Sequence, residues 1–145
     1  MPSSTINFFS EDIPFTLKKK IAIRKWIKDT ILAEGFKPGE ISFILCSDEY
    51  LHKINVEYLD HDTYTDIITF DTSDKHQSIS GDIFISIDRI RENARTFNVN
   101  EGDELHRVII HGILHLCGYL DKKPADKQLM TQKENEYLSK RDFIS

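Results

Sequence analysis

Cysteine is scarce in this chain of 145 residues. With two of them, a disulfide-dense secreted scaffold is excluded, and Cys46 and Cys117 are expected as buried free thiols. Glycine and proline are also few, at 6 and 4, so collagen-like and low-complexity classes are excluded and no linker divides the chain. No apolar run approaches the roughly 20 residues of a membrane span, so no membrane partner is expected. The opening M-P-S-S-T-I-N-F-F-S-E-D lacks the basic start and apolar centre of a signal peptide, which makes the cytoplasm the expected compartment. Net positive charge is missing too. Nineteen Lys and Arg stand against 24 Asp and Glu, a balance of −5. That argues against broad, nonspecific nucleic-acid binding but leaves room for a local basic cleft. Lys18, Lys19, Lys20, Arg24 and Lys25 form one basic cluster, expected as a solvated face; Arg89, Arg91, Arg95 and Arg107 form a looser one.

What is present suits one globular domain over residues 1–145, with 39% hydrophobic and 30% charged residues. Ile6 to Phe9 reads as a short strand. A helical pattern runs from Leu17 to about Glu34, with Leu17, Ile21, Ile27 and Ile31 among its apolar positions; Gly35 and Pro38-Gly39 are expected to end it. Ile41 to Cys46 reads as a strand. Ser47-Asp48 opens a helix to about Tyr58. Asp66 to Phe70 and Asp82 to Ser86 read as strands joined by a long polar loop from Asp71 to Ser80. Asp88 is expected to cap a helix to about Phe97. Further helices are predicted from about Asp103 to Cys117 and from Lys127 to about Lys140. Strands come mostly first and helices mostly last, which predicts an α+β fold, a small mixed sheet packed with helices.

The most informative run is His111 to Asp121, H-G-I-L-H-L-C-G-Y-L-D. On a helix, His111 and His115 stack one turn apart on one face and can address one ion. Neutral imidazole is the commonest metal ligand, and catalytic zinc usually takes three protein ligands and a water. Gly118 fits the left-handed position past a helix end, so the chain can reverse and return Asp121 as third ligand. The alternative for Asp121 is a cap on that turn. Val108, Ile109, Ile110, Ile113, Leu114 and Leu116 make the segment strongly apolar, and a buried histidine pair there needs a polar partner. A metal supplies one. The spacing is that of the long zinc-peptidase motif, but the position of its general base, straight after the first histidine, is Gly112. Peptide hydrolysis by that route is not expected. Cys117 points off the ligand face and is not expected as a ligand. Zinc is expected, although ferrous iron or nickel would also suit a His-His-Asp face.

The run H-G-I-L-H-L-C-G-Y resembles the H-G-x-L-H-L-x-G-Y signature of the YbeY family, the zinc-dependent single-strand endoribonucleases of bacterial rRNA maturation. Thr65-Asp66-Ile67-Ile68-Thr69-Phe70 resembles that family's T-(D/N)-V-L-S-F segment, and Gly81-Asp82-Ile83 its G-D-I. Glu104-Leu105, Met130 and Glu134 also fall in register. The resemblance implies a zincin-like metal helix on a small sheet. It also implies RNA as partner, ribosomal RNA of the small subunit in particular, with ribosomal or assembly proteins beside it. Met130 resembles the methionine beneath the metal in long-motif zinc enzymes; a core filler is the equal alternative.

Departures stand beside the matches. Asp121 replaces a third histidine; an anionic ligand lowers the net charge at the metal, so a bound water would be less acidic. Leu59 occupies the place of an arginine thought to serve the nuclease reaction, and leucine cannot hold phosphate. Tyr64 and Asp71 replace prolines. Asp66 and Asp82 are the candidate catalytic carboxylates, and Lys122, Lys123 or Arg91 the candidate substitutes for the missing arginine. Two functions follow. One is metal-dependent phosphodiester hydrolysis. The other is an RNA-binding or ribosome-assembly factor with a structural or weakly catalytic metal. An open coordination position supports the first and a closed shell the second.

Overall fold

A computed structural model describes residues 5–60, 65–73 and 78–143. Tyr64, the tip of the turn after Asp60 and the middle of the Asp71–Ser80 loop lie outside the described residues. The elements run β1 (Thr5–Ser10), α1 (Lys20–Ala33), β2 (Lys37–Cys46), α2 (Asp48–Leu59), β3 (Ile67–Asp71), β4 (Ser78–Ser86), α3 (Ile87–Phe97), α4 (Glu101–Leu116) and α5 (Pro124–Leu138). The sheet order is β1-β2-β4-β3. β1, β2 and β4 are parallel, and β3 runs antiparallel to β4 at the edge. This is the α+β arrangement, with a mixed sheet, that the sequence predicts.

Side-chain alternation assigns the two sheet faces. Ile41, Phe43 and Leu45 of β2 and Ile79, Ile83 and Ile85 of β4 are buried in the main core with α1, α4 and α5. Cys46, Ile68, Phe70 and Phe84 pack on the other face with Leu51 and Ile54 of α2. In the β3–β4 register, Ile67 lies opposite Ile85 and Ile68 opposite Phe84, so β3 sends Ile67 and Thr69 toward α4. No helix among the described residues is long and apolar enough to cross a membrane.

Several boundaries differ from the sequence reading, each for a local reason. α1 starts at Lys20, after Lys19 adopts a left-handed conformation, so Leu17 precedes the helix although its side chain is buried. The apolar stripe of α1 is Ile23, Trp26, Ile27 and Ile31, completed by Thr30; Ile21 is 83% exposed. Pro38 and Gly39 do not separate helix from strand but lie inside β2, which the irregularity between Pro38 and Ile41 makes possible. α3 is capped by Ser86, whose hydroxyl accepts from Arg89 N at 3.1 Å; Asp88 sits in the first turn and accepts from Asp48 N. α4 starts at Glu101, ahead of Asp103, because Asn100 caps it, accepting from Asp103 N at 2.7 Å. Cys46 is buried, but Cys117, at the end of α4, is only partly so. Met130 is 2% exposed within the main core.

Candidate metal centre

α4 carries His111 and His115 at a spacing of four, and their rings meet edge to face with centroids 4.6 Å apart. The helix stops at Leu116, Cys117 is its cap, and Gly118 takes φ 106°, a conformation glycine adopts without strain. The chain reverses there and brings Asp121 back. Its Oδ2 lies 3.2 Å from His111 Nε2 and 3.1 Å from His115 Nε2. The ligand atoms of these three residues lie within 4.8 Å of one another.

The outer nitrogens decide what the inner ones can do. His111 Nδ1 is 2.6 Å from Glu134 Oε2, and His115 Nδ1 is 2.9 Å from the Tyr119 carbonyl. Both partners only accept, so each Nδ1 carries a proton, and with an ion bound each Nε2 would turn its lone pair toward it beside Asp121. Three acceptors then converge on one point. A cation relieves their repulsion, and the donor set of two imidazoles and one carboxylate suits a divalent ion. Burial works against charging His111, but the hydrogen bond and charge of Glu134, with Asp121 and Asp66 adding, outweigh it and raise its pKa. The site favours positive charge at this spot.

The histidines open onto a cleft of about 740 Å³ between α4, the edge strand β3 and α5. Its walls include Leu59, Asp66, Asp71, Glu104, Arg107, Lys122 and Glu134. Of the residues the sequence nominates, His111, His115, Asp121, Asp66 and Lys122 come together here. Asp66 is half-buried, and desolvation raises its carboxyl pKa despite the opposing charge of His111. Asp82 does not join them; it lies opposite Phe70, on the sheet face away from α4, and is exposed. Arg91 is also elsewhere, on α3, 3.5 Å from Glu101. Lys123 caps α5 and does not line the cleft. Gly112 has no room for a base: a Cβ there would lie 3.1 Å from Ile67 Cδ1 and from Ile83 Cδ1 and Cγ2.

Two cleft residues escaped the sequence reading of the site. Arg107 Nη1 donates to Glu134 Oε1 at 2.8 Å, while the other oxygen of Glu134 holds His111. Glu104, 6% exposed, has its pKa raised by burial and then by Asp66 and Glu134. Continuing the histidine spacing backwards along α4 reaches both, at four and seven residues before His111.

The model of the family Endoribonuclease YbeY matches residues 5–142. The chain is 51% identical over 139 residues to the Endoribonuclease YbeY of Christiangramia forsetii, covering 96% of each. It is 48% identical over 143 residues to that of Cytophaga hutchinsonii, covering 99% of this chain and 100% of the relative. Among solved structures, a Thermotoga maritima protein determined in solution superimposes with a TM-score of 0.65 at 26% identity, over 93% of this chain and 87% of its own.

Proposed function

The chain belongs to the YbeY family of endoribonucleases, and from that premise we propose that it is a metal-dependent endoribonuclease of rRNA maturation that cuts RNA in the cleft beside His111 and His115. The observation that carries this reading is the convergence of two imidazole Nε2 atoms and one carboxylate oxygen at the floor of that cleft. The three side chains are 20%, 27% and 35% exposed, which supports a centre reached from the cleft, as catalysis requires. Zinc is the ion proposed, with His111, His115 and Asp121 as its ligands. Such an ion supplies Lewis acidity toward a phosphoryl oxygen and activates water near neutral pH.

The protein's own groups do the rest. Glu134 and the Tyr119 carbonyl hold the imidazoles in the required tautomer. Asp66, within electrostatic reach of His111, is the carboxyl assigned to proton transfer. Lys122 and Arg107 line the cleft and offer positive charge to the phosphate where Leu59 has none. Small-subunit rRNA is the proposed substrate, met in the company of ribosomal or assembly proteins. Protein purified without added metal should hold about one equivalent of zinc and cut single-stranded RNA. His115→Ala should lose both; cleavage at the wild-type rate would overturn the reading.

A further inference from the structure

Glu34 stands at the C-terminal end of α1, outside the cleft lining, with a side chain 9% exposed. Its Oε1 accepts from the Tyr119 hydroxyl at 2.6 Å. Its Oε2 accepts from the Tyr137 hydroxyl and, at 3.2 Å, from Lys133 Nζ. Burial opposes ionisation, but the two phenols and the ammonium outweigh it and hold the carboxyl below its usual range. Burial and the bond to Glu34 push both phenols up, so they remain donors.

Each donor belongs to a segment that also holds a histidine. Tyr119 supplies the carbonyl that accepts from His115 Nδ1. Lys133 and Tyr137 flank Glu134 on one stretch of α5, and Glu134 accepts from His111 Nδ1. Trp26, on the same helix as Glu34, ties in the Tyr137 carbonyl at 2.8 Å.

We propose that Glu34 is a positioning residue for the metal centre. By fixing Tyr119 and the Lys133–Tyr137 stretch together, it sets both acceptors that decide which nitrogen of His111 and of His115 faces the ion. A position at the end of α1 needs no charge for packing alone, because a buried ion pair is often matched by an apolar residue of similar size. A carboxylate does what leucine cannot: it joins α1, the turn after α4, and α5 through directed bonds. Without it the Tyr119 carbonyl and the Lys133–Tyr137 stretch lose their shared tether, and the acceptors that fix each imidazole's tautomer are held less firmly.

The inference rests on the metal reading of the site, and the test separates the two. Zinc affinity is measured on the whole folded chain by competition with a chromophoric chelator, together with the visible absorption of the cobalt(II)-loaded protein. The variants are Glu34→Gln, Tyr119→Phe and the pair combined. Ile31→Val, a core change one turn away on α1, is the control for general destabilisation. Glu34→Gln and Tyr119→Phe should each weaken zinc binding about 10- to 100-fold and alter the cobalt spectrum. The combined variant should bind no more weakly than Glu34→Gln alone, since the two residues act in series. Ile31→Val should change neither readout. Tyr119→Phe removes one hydroxyl and decides the matter should Glu34→Gln not fold. Wild-type affinity and spectrum in the folded variants, or an equal loss in Ile31→Val, overturn the positioning role. Wild-type protein that binds neither zinc nor cobalt overturns the metal reading beneath it as well.

Discussion

Replacing Gly112 by alanine sets two effects of similar size against each other. The change removes a glycine from the interior of α4, which favours the helix by about 1 kcal/mol. Against this, the new methyl would lie 3.1 Å from three side-chain carbons, short of ordinary contact. Ile67 Cδ1 is the far end of a partly exposed side chain at the cleft wall and can yield. Ile83 cannot. It is 0% exposed, it meets the methyl through two carbons, and it is β-branched on a central strand. Overpacking of this kind costs about 1–3 kcal/mol. The overpacking wins, and the variant should be less stable by about 1 kcal/mol. With a urea slope of about 1–3 kcal/mol/M, the unfolding midpoint followed by circular dichroism should fall by roughly half a molar. Zinc affinity should stay near wild type, because His111 and His115 ride on the same helix. Gly112→Glu would go much further, burying a carboxylate against two isoleucines without creating a peptidase. A midpoint at or above wild type in Gly112→Ala would show that α4 is not pressed against β4 as described.

Other outcomes follow from the same geometry. Asp121→Ala should lose most bound zinc while Asp121→His retains it, as measured by metal analysis after dialysis; equal retention by both would remove Asp121 from the ligand set. Lys122→Ala should weaken single-stranded RNA binding and make its salt dependence shallower by roughly 0.7 in log–log slope. Leu59→Arg should strengthen binding and speed cleavage in the same assay. His106 is held neutral, its pKa pushed down to about 4 by burial and by the positive charges of Arg141 and Lys19, against the pull of Asp103. In the unfolded chain it titrates near 6.5, so the unfolded state binds the extra proton first, and stability is full above that pH and lost as pH falls toward 4. Urea midpoints should therefore drop more steeply between these pH values in wild type than in His106→Gln.

The parts of this protein that were legible in its sequence are those set by neighbours along the chain. The histidine pair, the turn at Gly118 and the return of Asp121 depend on a helical spacing and one left-handed glycine. The strands around Phe43 and Ile83 declare themselves by branched and aromatic residues. On α1, Ile21 reads as one of the apolar positions but faces solvent, because apolar residues sit on more than one side of this helix; the set Ile23, Trp26, Ile27, Thr30 and Ile31 is the buried one. In the sequence Asp82 stands level with Asp66 because each is the carboxylate of a segment that resembles the family's. Their fates divide because β4 turns Asp82 to the face away from α4, and a strand register is not written beside either residue. Glu34 was invisible for a stronger reason. Its partners lie 85, 99 and 103 residues further on, and no local pattern announces them.

Those separations also impose an order of events during synthesis. Chains are made from the N-terminus, and early segments begin to organise first. Glu34 emerges long before the histidines, and the histidines before Glu134, which is 23 residues beyond His111. An ion meeting the growing chain would find His115 with its Tyr119 partner four residues on, but His111 still without Glu134. The complete nest of donors exists only once α5 has closed against α1. A fragment that stops before α5 keeps His111, His115 and Asp121 but lacks Glu134, and it should hold zinc more weakly than the whole chain. RNA cleavage by such a fragment should fall with its zinc affinity.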